Sequence, residues 1–263
     1  RRSMDRPAGE GFASTLRQAG IRVIRFDARG HGGSAVPPEG RPLSWTYDDL
    51  VRRDLPAVVA YARQSSPGLP LGVIGHSLFG HVAMASAGSG AYVQAPDWHV
   101  LMATNTWMPS LESSWILRRR KGLQVSVMRA ITAMVGRLPS RKMRMGPADE
   151  ARPYIQDISG FWTRDLWGSR DGVDYLAAAR QVTGPVLSVL GEGDALLAHP
   201  EGATRWASHI GEAGAEVWRA GSGTHGLQHD PDHMGLVTDL RSRPLWREIG
   251  RWIEASVLSP VVE

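Results

Sequence analysis

Apolar positions recur along this chain with two alternating periods. Phe12, Leu16 and Ala19 share one helical face, and Gly20 closes that helix. Ile21 to Phe26 is a β-rich run, followed by a glycine-rich loop from Asp27 to Ser34. From Asp48 to Ala62 the period is helical again, with Leu55, Val58, Val59 and Ala62 on one side and Pro56 marking a kink or a fresh turn. A short apolar strand then runs into Gly75-His76-Ser77-Leu78-Phe79-Gly80-His81, where a turn opens a helix extending from about Leu78 to Ala87. Val100 to Ala103 reads as one more strand.

The alternation breaks over residues 105–180. That stretch holds Trp107, Trp115, Trp162 and Trp167, the basic run Arg118 to Lys121, and a helical pattern from Val125 to Val135. Beyond it the alternation resumes. Pro185 to Leu190 is a buried strand with Gly191-Glu192-Gly193-Asp194 as its exit loop, and Glu201 to Ile210 is a helix. Glu216 to Arg219 is a strand, a loop rich in Gly and His runs from Gly221 to His233, and Leu245, Ile249, Trp252 and Ile253 mark a last amphipathic helix. Strand–helix repetition of this kind predicts an α/β fold, a mostly parallel sheet with helices on both faces. Residues 1–104 and 181–263 form its core, and residues 105–180 are expected to be a helical lid inserted into it.

Composition narrows the class. A chain of 263 residues that is 42% hydrophobic has ample material for one core. Charged residues make up 21% and the net charge is +4. The only lysines are Lys121 and Lys142, an arginine skew that gives no footprint for nucleic acid. The chain has no cysteine, which excludes disulfides, thiolate metal ligands and a thiol nucleophile, and suits a reducing, cytoplasmic compartment. No apolar run approaches the ~18 residues of a membrane span.

The candidate chemistry gathers at strand ends. In an open parallel sheet, ligands bind beyond the carboxyl ends of the strands. Ser77, Asp194 and the histidines of the loop after Arg219 all fall there. A serine at a strand-to-helix turn stands proud of the backbone, beside the free N–H groups of a helix start. Its hydroxyl needs a base, and the base needs an orienting carboxylate. His233 is the preferred base and His225 the alternative, with His229 third.

These motifs resemble those of the α/β-hydrolase superfamily, in its serine esterase and lipase branch, over nearly the whole chain. Asp27-x-Arg29-Gly30-His31-Gly32-x-Ser34 looks like the loop after the fourth strand of that fold. Gly75-His76-Ser77-Leu78 looks like its nucleophile elbow, and Pro185 to Asp194 like its acid-bearing strand. The resemblance implies Ser77 as nucleophile, Asp194 as the acid of a Ser-His-Asp triad, and the Leu78 amide as one oxyanion donor. It implies hydrolysis of a carboxylic ester through an acyl-enzyme, with an amide as the secondary expectation, a small-molecule acyl substrate and no cofactor. It also implies that the fold lacks its first strands, and with them a second oxyanion donor, because nothing upstream of Phe12 matches the loop that carries it.

Other features read as structural. Phe79 stands where the elbow motif has glycine, so a non-catalytic binding module or a degenerate hydrolase on the same scaffold is the alternative function. The spacing of His225, His229 and His233 would suit a metal on a helix, but Gly226 and Pro231 break a helix there, and no metal is expected. Asp27 and His31 are read as loop scaffolding, His76 and His81 as structural or pocket-lining, and Arg118 to Lys121 as a solvated face that could touch phosphates.

Overall fold

The computed structural model describes residues 3–34 and 42–258. Four parallel strands form the central sheet: β1 (Gly72–His76), β2 (Trp98–Met102), β5 (Val186–Gly191) and β6 (Glu216–Ala220), in the order β1-β2-β5-β6. Every residue of β2 and β5 is buried, as expected of central strands covered on both faces. On one face lie α1 (Phe12–Gln18) and α10 (Arg243–Leu258), whose Phe12, Leu16, Leu245, Trp246 and Ile249 pack on Val100, Met102, Leu187 and Val189. On the other lie α3 (Leu55–Ser65) and α4 (Leu78–Gly88). They are preceded by the single turn α2 (Tyr47–Asp49), which a Thr46 and Asp49 capping box starts, and by a π-helical turn over Leu50–Asp54. Pro56 sits in the first turn of α3, where its missing N–H has no intrahelical use.

The stretch between β2 and β5 holds α5 (Trp115–Val135), the two-stranded antiparallel pair β3 (Arg137–Leu138) and β4 (Glu150–Ala151), α6 (Arg152–Arg164) and α7 (Tyr175–Ala179). The long helix α5 begins ten residues before the period alone indicates, capped by the Ser114 hydroxyl on Leu117 N–H, and ends at left-handed Gly136. After β5 come α8 (Pro200–Ala207), then β6, the single turn α9 (Gly235–Thr238) and α10. Among the described residues, no helix is long and apolar enough to cross a membrane.

Two expectations need correction. Ile21 to Phe26 pairs with no strand among the described residues. β1 ends the sheet on that side, and a cavity of about 1420 Å³ lies against both β1 and the 21–28 run. The cavity is lined by Val58, Val59 and Ala62 of α3 and by Phe12, Leu16 and Ile253 of α1 and α10. A β-rich sequence becomes a strand only where another edge lies within ladder distance.

The second correction concerns the basic run. Arg118, Arg119 and Arg120 are exposed, but Lys121 is fully buried. It pairs with the buried Glu112, which lies in the segment joining β2 to α5, and its ammonium sits 5.2 Å from the Trp107 ring centroid. Removing one partner of such a pair strands a charge in the interior, which costs about 3–5 kcal/mol. Lys121→Met should therefore lower the thermal midpoint by on the order of 10 °C. The double variant Lys121→Met/Glu112→Leu should regain most of that loss in calorimetry.

Candidate active site

The elbow is built by close backbone approach. Ser77 follows β1 directly and caps α4 with φ +53° and ψ −116°, a conformation that a residue with a side chain holds only where its surroundings impose it. Three contacts impose it. Ser77 N–H donates to the Met102 carbonyl (2.8 Å), Gly80 N–H returns to the Ser77 carbonyl (3.1 Å), and the Thr104 hydroxyl reaches that same carbonyl at 3.4 Å. A Cβ on Gly75 would stand 2.4 Å from the Phe79 carbonyl oxygen, and one on Gly80 would stand 1.9 Å from Thr104 Oγ1. The glycines this turn requires are thus at positions 75 and 80. Phe79 leaves the turn sideways and packs edge-on against Phe26, ring centroids 5.1 Å apart. Leu78, as the first residue of α4, has no intrahelical acceptor for its N–H.

Asp194 is buried in the exit loop of β5. Its Oδ1 accepts the N–H groups of Leu196 (3.3 Å) and Leu197 (2.9 Å), and its Oδ2 accepts Ala198 N–H (2.9 Å) and His233 Nδ1–H (2.6 Å). Burial alone would raise its pKa. The hydrogen bond and charge of His233, with the Ala198 and Leu196 amides, outweigh burial and hold the carboxyl below its usual range. With Nδ1 given to Asp194, the other ring nitrogen of His233 takes no part in that bond.

His76, next to Ser77, holds His233 in place. Its Nε2 donates to the His233 carbonyl at 2.9 Å, and the two rings lie 4.9 Å apart. Burial first, then repulsion from His233, pulls His76 down to about 4, so it is neutral at pH 7. The Ser77 hydroxyl makes no hydrogen bond among the described residues. The other two histidines of the loop lie elsewhere. His225 pairs with Glu248 (3.0 Å) and stacks on Trp218, and His229 lies 3.9 Å from Asp239. Each of the three faces a different carboxylate, and among the described residues no group of three or more His, Asp or Glu converges as a metal would need.

Three supports of the site were not legible in the sequence. Trp107 Nε1 donates to the Leu197 carbonyl (2.8 Å), which ties the segment entering α5 to the loop that wraps Asp194. Behind the elbow, the Tyr47 hydroxyl accepts from Trp167 Nε1 (3.1 Å) and donates to His81 Nδ1 (2.8 Å); burial drives His81 down to about 3 and keeps it neutral. At the front, His31 Nε2 reaches Glu150 Oε1 at 3.1 Å and joins the 27–34 loop to β4. His31, Glu150, Leu78, Phe79 and Met234 line the end of the large cavity beside the elbow. The scaffolding role expected of Asp27 and His31 agrees with these contacts, since Asp27 also accepts Gly33 N–H.

Two measurements test this geometry. Gly80→Ala should destabilise by about 1–3 kcal/mol, because its Cβ meets Thr104 Oγ1. Thr104→Ala should recover part of that loss in the double variant. His31 is raised above its ordinary value chiefly by its hydrogen bond to Glu150. Its contribution to stability is therefore complete below pH ~6.5 and fades as pH rises through the higher folded value. The pair is only half-buried, so the effect is small, about 0.5 kcal/mol. Glu150→Gln should flatten this alkaline drift in the thermal midpoint.

A family model described as serine aminopeptidase, S33, matches residues 8–232, a stretch that holds Ser77 and Asp194 and stops one residue before His233. Among solved structures, the fold is similar to that of a Paleococcus ferrophilus monoacylglycerol lipase, with TM-score 0.58 and 15% identity over 93% of this chain and 88% of that one. A Pyrococcus furiosus esterase aligns with TM-score 0.56 and 17% identity, over 92% of this chain and 73% of its own. A Thermogutta terrifontis esterase gives TM-score 0.56 and 16% identity, over 93% and 85%. No curated protein matches the sequence. With the parallel sheet, the elbow and a family match over most of its length, the chain belongs to the serine aminopeptidase S33 family of α/β-hydrolases and is a hydrolase.

Proposed function

We propose that this hydrolase cleaves a carboxylic ester with Ser77 as nucleophile, His233 as base and Asp194 as the orienting acid. The observation that carries the reading is the Asp194–His233 hydrogen bond of 2.6 Å, held beside the strained Ser77 turn by the His76 bond to the His233 backbone. Ser77 Oγ attacks the carbonyl carbon as His233 Nε2 takes its proton. The tetrahedral oxyanion accepts the Leu78 N–H, and its collapse breaks the ester bond as the imidazolium protonates the leaving alcohol. Water, deprotonated by the same nitrogen, attacks the acyl-enzyme and frees the acid. The Ser77 hydroxyl closes onto the imidazole when substrate fills the site, as such contacts commonly tighten on binding.

An ester with an apolar acyl chain is favoured by the Phe26, Val73, Ile74, Leu78 and Phe79 side chains in the cavity lining. The neighbours named as esterases and a monoacylglycerol lipase support the same choice. Residues 105–180 serve as the lid, since this segment carries Trp107 and Glu150, which fasten it to both flanks of the site. A cysteine-free chain suits a cytoplasmic setting. The binding-module or degenerate-hydrolase alternative rests on Phe79 in place of the elbow glycine and on the unmatched upstream oxyanion loop; the packing of Phe79 on Phe26 speaks against the first ground.

A fluorophosphonate probe should label the wild-type protein at Ser77 and leave Ser77→Ala unlabelled. His233→Ala should lower turnover of a p-nitrophenyl ester by about 10³-fold or more, while His225→Ala leaves it unchanged. Full labelling and turnover in His233→Ala, with loss in His225→Ala, would reverse the assignment of the base.

A further inference from the structure

The outward face of α5 is apolar where solvent should favour polar residues. The helix is 21 residues long, about 31 Å at 1.5 Å per residue. Leu117, Lys121, Val125 and Thr132 are buried, and α5 packs against α6 and β3. At ~100° per residue, Ile116, Leu123, Val127 and Met134 fall within about 40° of one another, on the side turned away from that buried row. All four are exposed, Leu123 by 68% and Met134 by 78%, and Trp115 at the start of the helix is exposed by 67%. Isolated exposed apolar residues need no explanation, but a stripe aligned along five turns does.

Charge identifies what covers it. From Trp115 to Val135 the chain has no Asp or Glu. Its exposed charges are Arg118, Arg119, Arg120 and Arg129, while Glu112 neutralises only the buried Lys121. On the helical wheel Arg119 and Arg120 flank the apolar stripe on opposite sides, and the Arg119 guanidinium lies 5.9 Å from the Trp115 ring. A second copy of the same face would set Arg119 and Arg120 against their own copies, which disfavours self-association. An apolar stripe bordered by cations and a tryptophan matches instead a helix lying in the plane of a membrane interface.

We infer that the outward face of α5 docks on an anionic lipid surface, with Ile116, Leu123, Val127 and Met134 among the acyl chains and Arg119 and Arg120 at headgroup phosphates. Attraction of the bordering arginines to anionic lipid and burial of the apolar stripe act together. The docking stands apart from the hydrolytic reading, because its readout is vesicle partition and not turnover.

The test is flotation of the full chain with vesicles of phosphatidylcholine alone or mixed in equal parts with phosphatidylglycerol. The protein should float with the mixed vesicles, remain behind with phosphatidylcholine alone, and be released by salt. Leu123→Glu/Met134→Glu and Arg119→Glu/Arg120→Glu should each lower partition about tenfold or more with an unchanged thermal midpoint. Because both pairs are exposed, a fall in midpoint would mark a variant to be replaced by Ile116→Ser/Val127→Ser, with the same loss of partition expected. Failure of the wild type to float, or equal flotation of the folded variants, overturns the inference. So does a concentration-dependent dimer in sedimentation that the Leu123→Glu/Met134→Glu change abolishes, since the face then belongs to a second copy.

Discussion

The Asp194 carboxylate is the point on which the proposed site turns. Three successive backbone N–H groups and one imidazole converge on its two oxygens. A buried carboxylate is unfavourable unless it is surrounded by donors. Here the donors come from the loop itself, so the charge folds its own cradle and fixes the direction in which His233 can approach. His233 in turn is anchored through its carbonyl to His76, and His76 precedes the serine. Asp194, His233 and Ser77 are thereby linked through two hydrogen bonds and one peptide unit, although they lie far apart in sequence.

Around this link the fold supplies rigidity from three directions. Below, β1, β2 and β5 bring the serine and the aspartate to the same rim of the sheet. Behind, the Tyr47 hydroxyl joins α2, α4 and Trp167 inside the apolar core. Above, Trp107 and the Lys121–Glu112 pair hold the start of α5 against the loop that wraps Asp194. The buried ion pair is more expensive to desolvate than an apolar contact of the same size, and what it adds is a fixed register. Docking α5 on a lipid surface would therefore bear directly on the loop beneath it.

Much of this was legible in the sequence because it rests on local periodicity. The parallel α/β order, the elbow at Ser77, the exit loop at Asp194 and the helices at both ends follow from patterns within fifteen residues. The choice among His225, His229 and His233 was not, because a loop histidine is assigned by the carboxylate it meets in space, and all three had one within reach. Lys121 was misread for a similar reason. In sequence it is the fourth member of a cationic run, and only the tertiary placement of Glu112 makes one of the four turn inward. The 21–26 run shows the converse, since its composition is that of a strand and it meets no partner edge among the described residues.

Phe79 reads differently once that gap is considered. Where a ladder of hydrogen bonds would ordinarily tie adjacent parts of a sheet together, the rings of Phe79 and Phe26 bridge the elbow helix and the 21–28 run, while Arg22 ties the same run to Ser65 and Ser66. The departure from glycine thus acts as a strut. It steadies that wall of the large cavity by aromatic contact instead of by backbone pairing.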